Sequence, residues 1–347
     1  MNLLLQLKTR QEKNNANWKI FILLVVLVFI FIISFTLGRY PVSPEQLFKV
    51  LIAQVFSINV TWDTTVETVI FQIRLPRIYA AILVGAALSA AGAAYQGMFK
   101  NPLVSPDILG ASAGAGLGAA LGIFFSLSVI GIQLMAFLGG LIAVCLTYLI
   151  SIKIKHDPML ALVLSGVMIG SLFTAAISSI KYIADPYDKL PTITFWLMGS
   201  LASIDQQDVY MVLFPILIGG GLLYLLRWRL NVMAMGEEEA TVLGVNTKLM
   251  KTVVIICCTL MTSAAVSISG LIGWVGLVIP HLARMIVGPN YNVLLPTSIL
   301  LGASYLLLVD NLARLLASIE LPLGILTAII GVPFFLYLLL NSKFRWK

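Results

Sequence analysis

Arg74-Leu-Pro-Arg77 sets two guanidinium groups on either side of a Leu-Pro pair, and Arg314 adds a third in a later apolar stretch. A guanidinium forks onto a carboxylate through two parallel hydrogen bonds, so the chemistry on offer is recognition of acidic groups. Proline at 76 suits a helix start and would fix the pair at a membrane surface, as a docking site for acidic residues of a partner. Plain interfacial anchoring by snorkelling is the alternative. Glu237, Glu238 and Glu239 form a second charged group, between Gly236 and Ala240. His281 could carry a proton or serve as a ligand, but no acidic partner lies nearby in sequence, which favours a structural or interface role. With His156 as the other histidine, and Cys145, Cys257 and Cys258 scattered in apolar runs, a metal site is not expected. The cysteines read as small hydrophobes in helices. No GxxxxGK[ST] phosphate loop occurs, and the dipeptide Gly-Lys is absent, so any ATP must be bound by another subunit.

The elements that hold these groups follow from hydropathy. Of 347 residues, 60% are hydrophobic and 11% charged, with a mean hydropathy of +1.00. A soluble domain carries roughly 25% charged residues. A cytosolic enzyme, a secreted domain and a disordered chain are therefore excluded, and an integral membrane protein remains. A crossing helix needs about 20 apolar residues, and the alternation of a membrane barrel is missing. Charge-poor windows predict an all-α integral membrane protein with about ten transmembrane helices. They fall at 20–38, 78–99, two within 108–152 around a turn near 128–131, 158–180 and 209–226. The remainder are 252 to about 271, about 272 to 284, one within 285–309, and 321–342. The segment 190–203 reads as a short helix that does not cross. The first window exceeds the apolar core of a signal peptide and reads as retained.

An even number of crossings puts both termini on one side. With that side cytoplasmic, fifteen of the 22 Lys and Arg lie inside, in keeping with the positive-inside rule. Residues 1–19 become a cytoplasmic tail and 230–250 a cytoplasmic segment of a single domain spanning 1–347. Arg74, Arg77 and Arg314 lie outside, against the bias. Small-residue runs at 85–94 and 110–119 let helix backbones approach closely, which predicts a compact bundle. A similar run at 263–270 suggests an internal repeat of crossings 2–5 and 7–10.

Three further segments are unlike inert loops. Residues 96–107 carry two prolines and a glycine near membrane depth. Such backbone is tolerated where it is buried in protein or lines a cavity, as in a pathway or gate, although a rigid turn would also explain it. Residues 230–247 read as a short amphipathic helix between Gly236 and Gly244, with Met233, Met235, Val242 and Leu243 exposed for docking in a groove of a cytoplasmic partner. In 270–284, Gly270, Gly273 and Gly276 are spaced by three, as on one helical face, and Pro280 would kink the helix. The spans offer almost no embedded ionisable groups, which counts against an ion-coupled carrier.

Together these segments resemble the FecCD-type permeases, the membrane subunits of type II ABC importers for ferric siderophores, haem and cobalamin. The resemblance rests on Arg74–Arg77, on Gln96 with Asn101-Pro102-Leu103, Pro106 and Leu109-Gly110, and on Gly276-Leu277 with Pro280-His281 and Arg284. Asp310 with Arg314, Glu320 with Pro322 and Gly324, and Gly331-Val-Pro-Phe-Phe-Leu-Tyr337 complete it. It implies a permease, not an enzyme, with a second permease subunit, two ABC ATPase subunits carrying ATP and Mg, and an extracytoplasmic substrate-binding protein. Membrane lipid surrounds it, and nucleic acid is not a partner. Arg74, Arg77 and Arg314 would meet acidic residues of the binding protein. Met235, Gly236, Glu237, Glu238, Glu239, Ala240, Leu243 and Gly244 would couple to the ATPase. Asn101 and Pro102, with Ser165 and Gly166 of the fifth crossing, would belong to the path or gate. The cargo expected first is a ferric siderophore, with haem, cobalamin or molybdate as alternatives, and the site of action is the bacterial cytoplasmic membrane.

Overall fold

The computed structural model describes residues 2–54, 56, 62–154, 157–317 and 319–340. Lys155, Lys343, Arg345 and Lys347, counted among the inside charges, and His156, weighed as a metal ligand, lie outside the described residues, as do the side chains of Lys8, Arg10 and Lys13. The described chain is helical, with no strand. In order the helices are α1 Asn2–Ser34, α2 Pro44–Ala53, α3 Thr64–Glu67, α4 Leu75–Met98, α5 Ala111–Phe124, α6 Val129–Ser151, α7 Pro158–Ile183 and α8 Lys189–Met198. They continue as α9 Gln206–Leu225, α10 Arg227–Met235, α11 Glu237–Val242, α12 Thr247–Ser269, α13 Val275–Val287, α14 Tyr291–Leu315 and α15 Leu323–Leu340. A π-helical turn, Thr68–Arg74, joins α3 to α4 without a break, and a 3₁₀ turn, Pro106–Leu109, precedes α5.

Among the described residues, seven helical stretches are long and apolar enough to cross a membrane, and α5, α13 and α15 are shorter apolar helices. These are the ten expected, and α8 is the expected short helix. Their starts follow local chemistry. Asp157 Oδ1 accepts from the Met159 and Leu160 amides ahead of Pro158, Asp205 and Asp208 form a capping box on α9, and Asn246 Oδ1 accepts from the Leu249 amide. The order long, short, long recurs in α4–α6 and α12–α14, and an irregular segment precedes each of the short helices α5 and α13.

Packing sets α4 and α12 at the centre: 78% of each span is buried, against 6% for the apolar part of α1. The basic N-terminal stretch, expected as a tail, continues the same helix as the first crossing. The three-residue glycine spacing at 270, 273 and 276 does not mark one helical face. Gly270 ends α12 with φ +66, and residues 270–274 are non-helical up to Trp274, itself at φ +70. The reason is a tertiary junction. A Cβ on Gly270 would lie 2.2 Å from the Trp196 carbonyl, the Ser200 amide donates to Ser269 O (2.8 Å), and the Leu323 amide donates to Gly199 O (2.8 Å). The ends of α8 and α12 and the start of α15 thus satisfy one another's free backbone groups inside protein.

Candidate functional site

The three arginines converge at one end of the bundle. Arg74 ends the π-turn and Arg77 lies in the first turn of α4, after Pro76. Arg77 Nε donates to Asp310 Oδ1 and Oδ2 (2.9 and 3.1 Å), and its Nη1 donates to both oxygens of Glu320 (3.1 and 2.9 Å). One turn along α14 from Asp310, Arg314 Nε lies 3.3 Å from Asp310 Oδ2 as an ion pair, and its Nη2 donates to Asn311 Oδ1. Arg74 serves the other flank: Nη1 donates to Phe35 O and Nη2 to Tyr40 O (2.5 Å) just past α1. Asn311 Nδ2 reaches Ser34 Oγ (2.8 Å). One network therefore ties α1, α4, α14 and the segment before α15.

Its burial corrects the expectation of arginines presented at the surface. Arg74, Arg77 and Arg314 are 3, 5 and 6% exposed, and Asp310 is 0%. A buried guanidinium must be paired inside the protein, and these are. Glu320, at 28% side-chain exposure, is the part of the network open to a partner.

The opposite end carries the glutamate segment. Gly236 breaks the chain between α10 and α11, and Gly244 turns it back at φ +80. Met233, Ala240 and Val245 are buried and anchor the unit. Met233 was expected to be exposed; its side chain instead points into the bundle. Met235 (69%), Val242 (87%) and Leu243 (56%) remain uncovered beside Glu238 and Glu239. Two side-chain links make this surface stiff. Lys251 Nζ pairs with Glu237, joining α11 to α12. Asn231 Nδ2 donates to Asn290 Oδ1 (2.8 Å) while Asn231 Oδ1 accepts from the Tyr291 amide (2.6 Å), joining α10 to α14.

Of the residues expected at a gate, Asn101 and Pro102 lie in the 97–110 turn and Gly166 of α7 packs against it. Asn101 Oδ1 accepts from the Leu103 amide (2.9 Å) ahead of the turn containing Pro102, and Gln96 Nε2 donates to Leu277 O (3.1 Å). Ser165 and Gly166 are buried on the inner face of α7, where a Cβ on Gly166 would lie 2.2 Å from the Ile108 carbonyl. The other face of α7 is uncovered and carries Ser171, Thr174, Ser178 and Ser179 among apolar residues. Thr174, Ser178 and Ser179 bond back to carbonyls four residues earlier (2.8–3.0 Å). His281 packs its ring edge-on to Phe335 of α15 (6.3 Å). Among the described residues no cluster of His, Cys, Asp and Glu could hold a metal ion.

Sequence reasoning assigned no task to Asp310 and Glu320, although both stood in quoted motifs. Their signal was the surplus of arginine at an end that should be poor in it: charge buried in excess needs carboxylates nearby.

Comparison with known proteins bears on the whole chain. A molybdate import system permease protein, MolB, of Haemophilus influenzae is 42% identical over 324 residues, covering 93% of this chain and 96% of the relative. A protein of Helicobacter pylori named "Probable iron chelatin transport system permease protein" is 40% identical over 280 residues, 81% of this chain and 85% of the relative. A solved structure described as an inward-facing conformation of a metal-chelate type ABC transporter superposes with a TM-score of 0.83 at 41% identity, covering 94% of this chain and 99% of that one. Residues 25–341 match the FecCD transport family. With the same arginine, turn and proline motifs placed on ten apolar helices, the chain belongs to the FecCD transport family, as a non-catalytic transmembrane permease subunit of an ABC importer for metal chelates and related substrates.

Proposed function

We propose that the chain pairs with a second permease subunit to pass a ferric siderophore across a bacterial cytoplasmic membrane, both termini inside, driven by two separate ABC ATPase subunits. The observation that carries this reading is the surface at α11. Three large apolar side chains stand exposed beside Glu238 and Glu239 on a unit pinned from beneath by Met233, Ala240 and the Glu237–Lys251 pair. An uncovered apolar surface with a rigid support fits a protein groove better than water. The exposed hydroxyls of α7 support the second subunit, because hydroxyls facing lipid gain nothing from it, whereas a path between two subunits can be wet. Molybdate is the second cargo reading, favoured by the relative matched over 93% of this chain. Uptake of labelled ferric chelates and of labelled molybdate into vesicles holding the full complex separates the two. Uptake that persists without the ATPase rejects both in favour of a secondary carrier.

Val242→Asp with Leu243→Asp should lower ATP-driven uptake about tenfold or more, the scale of losing a central interface anchor, with the folded yield unchanged because both side chains are exposed. Undiminished uptake would remove α11 from the coupling. For binding-protein docking, we infer that an acidic partner reaches Arg77 by displacing Glu320, the exposed member of the network. Glu320→Gln should then tighten binding-protein affinity, by roughly fivefold for about 1 kcal/mol of competing ion pair at a half-open site. Unchanged or weaker affinity rejects that route.

A further inference from the structure

At the α11 end of the bundle, α6, α7 and α12 enclose a cavity of about 360 Å³. Lys248 and Lys251 of α12 line it, with Tyr148, Ser151 and Ile152 from the end of α6 and Pro158, Met159 and Leu162 from the start of α7. A second, apolar groove of about 240 Å³ runs between α6 and α12, past Val144, Cys145, Ile256 and Leu260. Both are lined by Tyr148, Thr252 and Ile255, so they meet there. The Tyr148 hydroxyl and Thr252 Oγ1, 3.0 Å apart, mark the change from polar to apolar wall. From Lys248 to Leu260 the helix descends roughly 18 Å at about 1.5 Å per residue, from the end of a crossing into its apolar length.

We propose that this cleft binds one anionic phospholipid, its phosphate on Lys248 and Lys251 and one acyl chain in the α6–α12 groove. The charge fits an anion: among the described residues lining the cavity, two lysines face one carboxylate, Glu237. The shape separates the ligand classes. A soluble phosphate has no use for the apolar continuation, and a neutral lipid has none for the lysines. Lysine at a membrane surface attracts anionic headgroups, and a groove shields the chain. Glu237 and the phosphate would share Lys251, so the lipid touches the helix that bears the exposed apolar surface. The site stands whatever the cargo.

The test uses delipidated full-length permease in detergent and follows its thermal unfolding. Phosphatidylglycerol should raise the midpoint saturably, and phosphatidylcholine of the same chains should do so only weakly. Lys248→Gln and Lys251→Gln should each weaken the apparent phosphatidylglycerol affinity about fivefold, and together about 25-fold. Lys248 is exposed, so its loss spares the fold. Cys145→Phe, at an exposed groove position, should weaken binding with both lysines intact, and Glu237→Gln should strengthen it. Three results overturn the proposal: equal effects of the two lipids, an affinity unmoved by Lys248→Gln, or stabilisation by water-soluble glycerol phosphate equal to that by phosphatidylglycerol.

Discussion

Asp310→Ala is expected to destabilise the permease by about 3–5 kcal/mol, the usual consequence of removing one partner of a buried ion pair. Asp310 is wholly buried and is shared by Arg77 and Arg314. Three arginines and two carboxylates make the native cluster. Without Asp310 the same three cations face Glu320 alone, and Glu320 contacts only Arg77. Arg314 then keeps the Asn311 side chain and the Leu37 and Ser34 carbonyls, and Arg77 keeps Glu320, so a buried guanidinium loses its carboxylate. The unfolding midpoint in detergent should drop by roughly 4–7 °C, the scale for a chain of 347 residues. Glu320→Gln should lower it far less, because water reaches that carboxylate and exposed ion pairs contribute about 1 kcal/mol or less. If both substitutions shift the midpoint by the same small amount, the network does not hold this end of the bundle together.

That cluster also shows where the sequence stops being informative. Hydropathy located the ten crossings because length and apolar content are local properties. The break after Ser269 and the short helix α8 were legible for the same reason. Burial of Arg77 was not, since its carboxylates lie 233 and 243 residues away, and charges against the topology bias look alike whether they point outward or are neutralised within. The glycines at 270, 273 and 276 failed differently. Spacing by three suits a helical face, but Gly270 takes a left-handed conformation that only its contact with Trp196 and Gly199 explains. Met233 and Met235 were indistinguishable by type, and the fold placed one in the core and left the other bare. Gly166 packs against the Ile108 carbonyl, yet composition could not tell which face of α7 the bundle uses.

Gly92→Val is expected to abolish the folded permease, or to leave a small fraction of the normal yield. The small-residue run in α4 brings its backbone against two other helices. An ideal Cβ on Gly92 lies 1.8 Å from the Gly276 carbonyl oxygen of α13, and one on Gly85 lies 2.2 Å from the Gly302 carbonyl oxygen of α14. Ordinary contact begins near 3.4 Å, so α4 and α13 would have to part by about 1.6 Å (3.4 − 1.8). The obstacle is backbone, which no rotamer change can move aside. The contact is close from the other side too: a Cβ on Gly276 would lie 2.4 Å from Pro106 Cγ and Cδ and 2.8 Å from Leu88 O of α4. Overpacking costs roughly 1–3 kcal/mol where side chains can yield; here the loss should exceed that range, since parting α4 from its neighbours also gives up dispersion contacts that lipid cannot restore. Gly221→Val in α9 is the matched control. Nothing lies within 4 Å of the Cβ it would add, so it changes helix propensity alone and should leave the yield near normal. Gly92→Ala should fall between the two, as its single methyl already meets the carbonyl. Equal yields of monodisperse protein from Gly92→Val and Gly221→Val would show that α4 can slide away from α13 at little cost, and close backbone contact would then not be what fixes the 97–110 turn against the rest of the bundle.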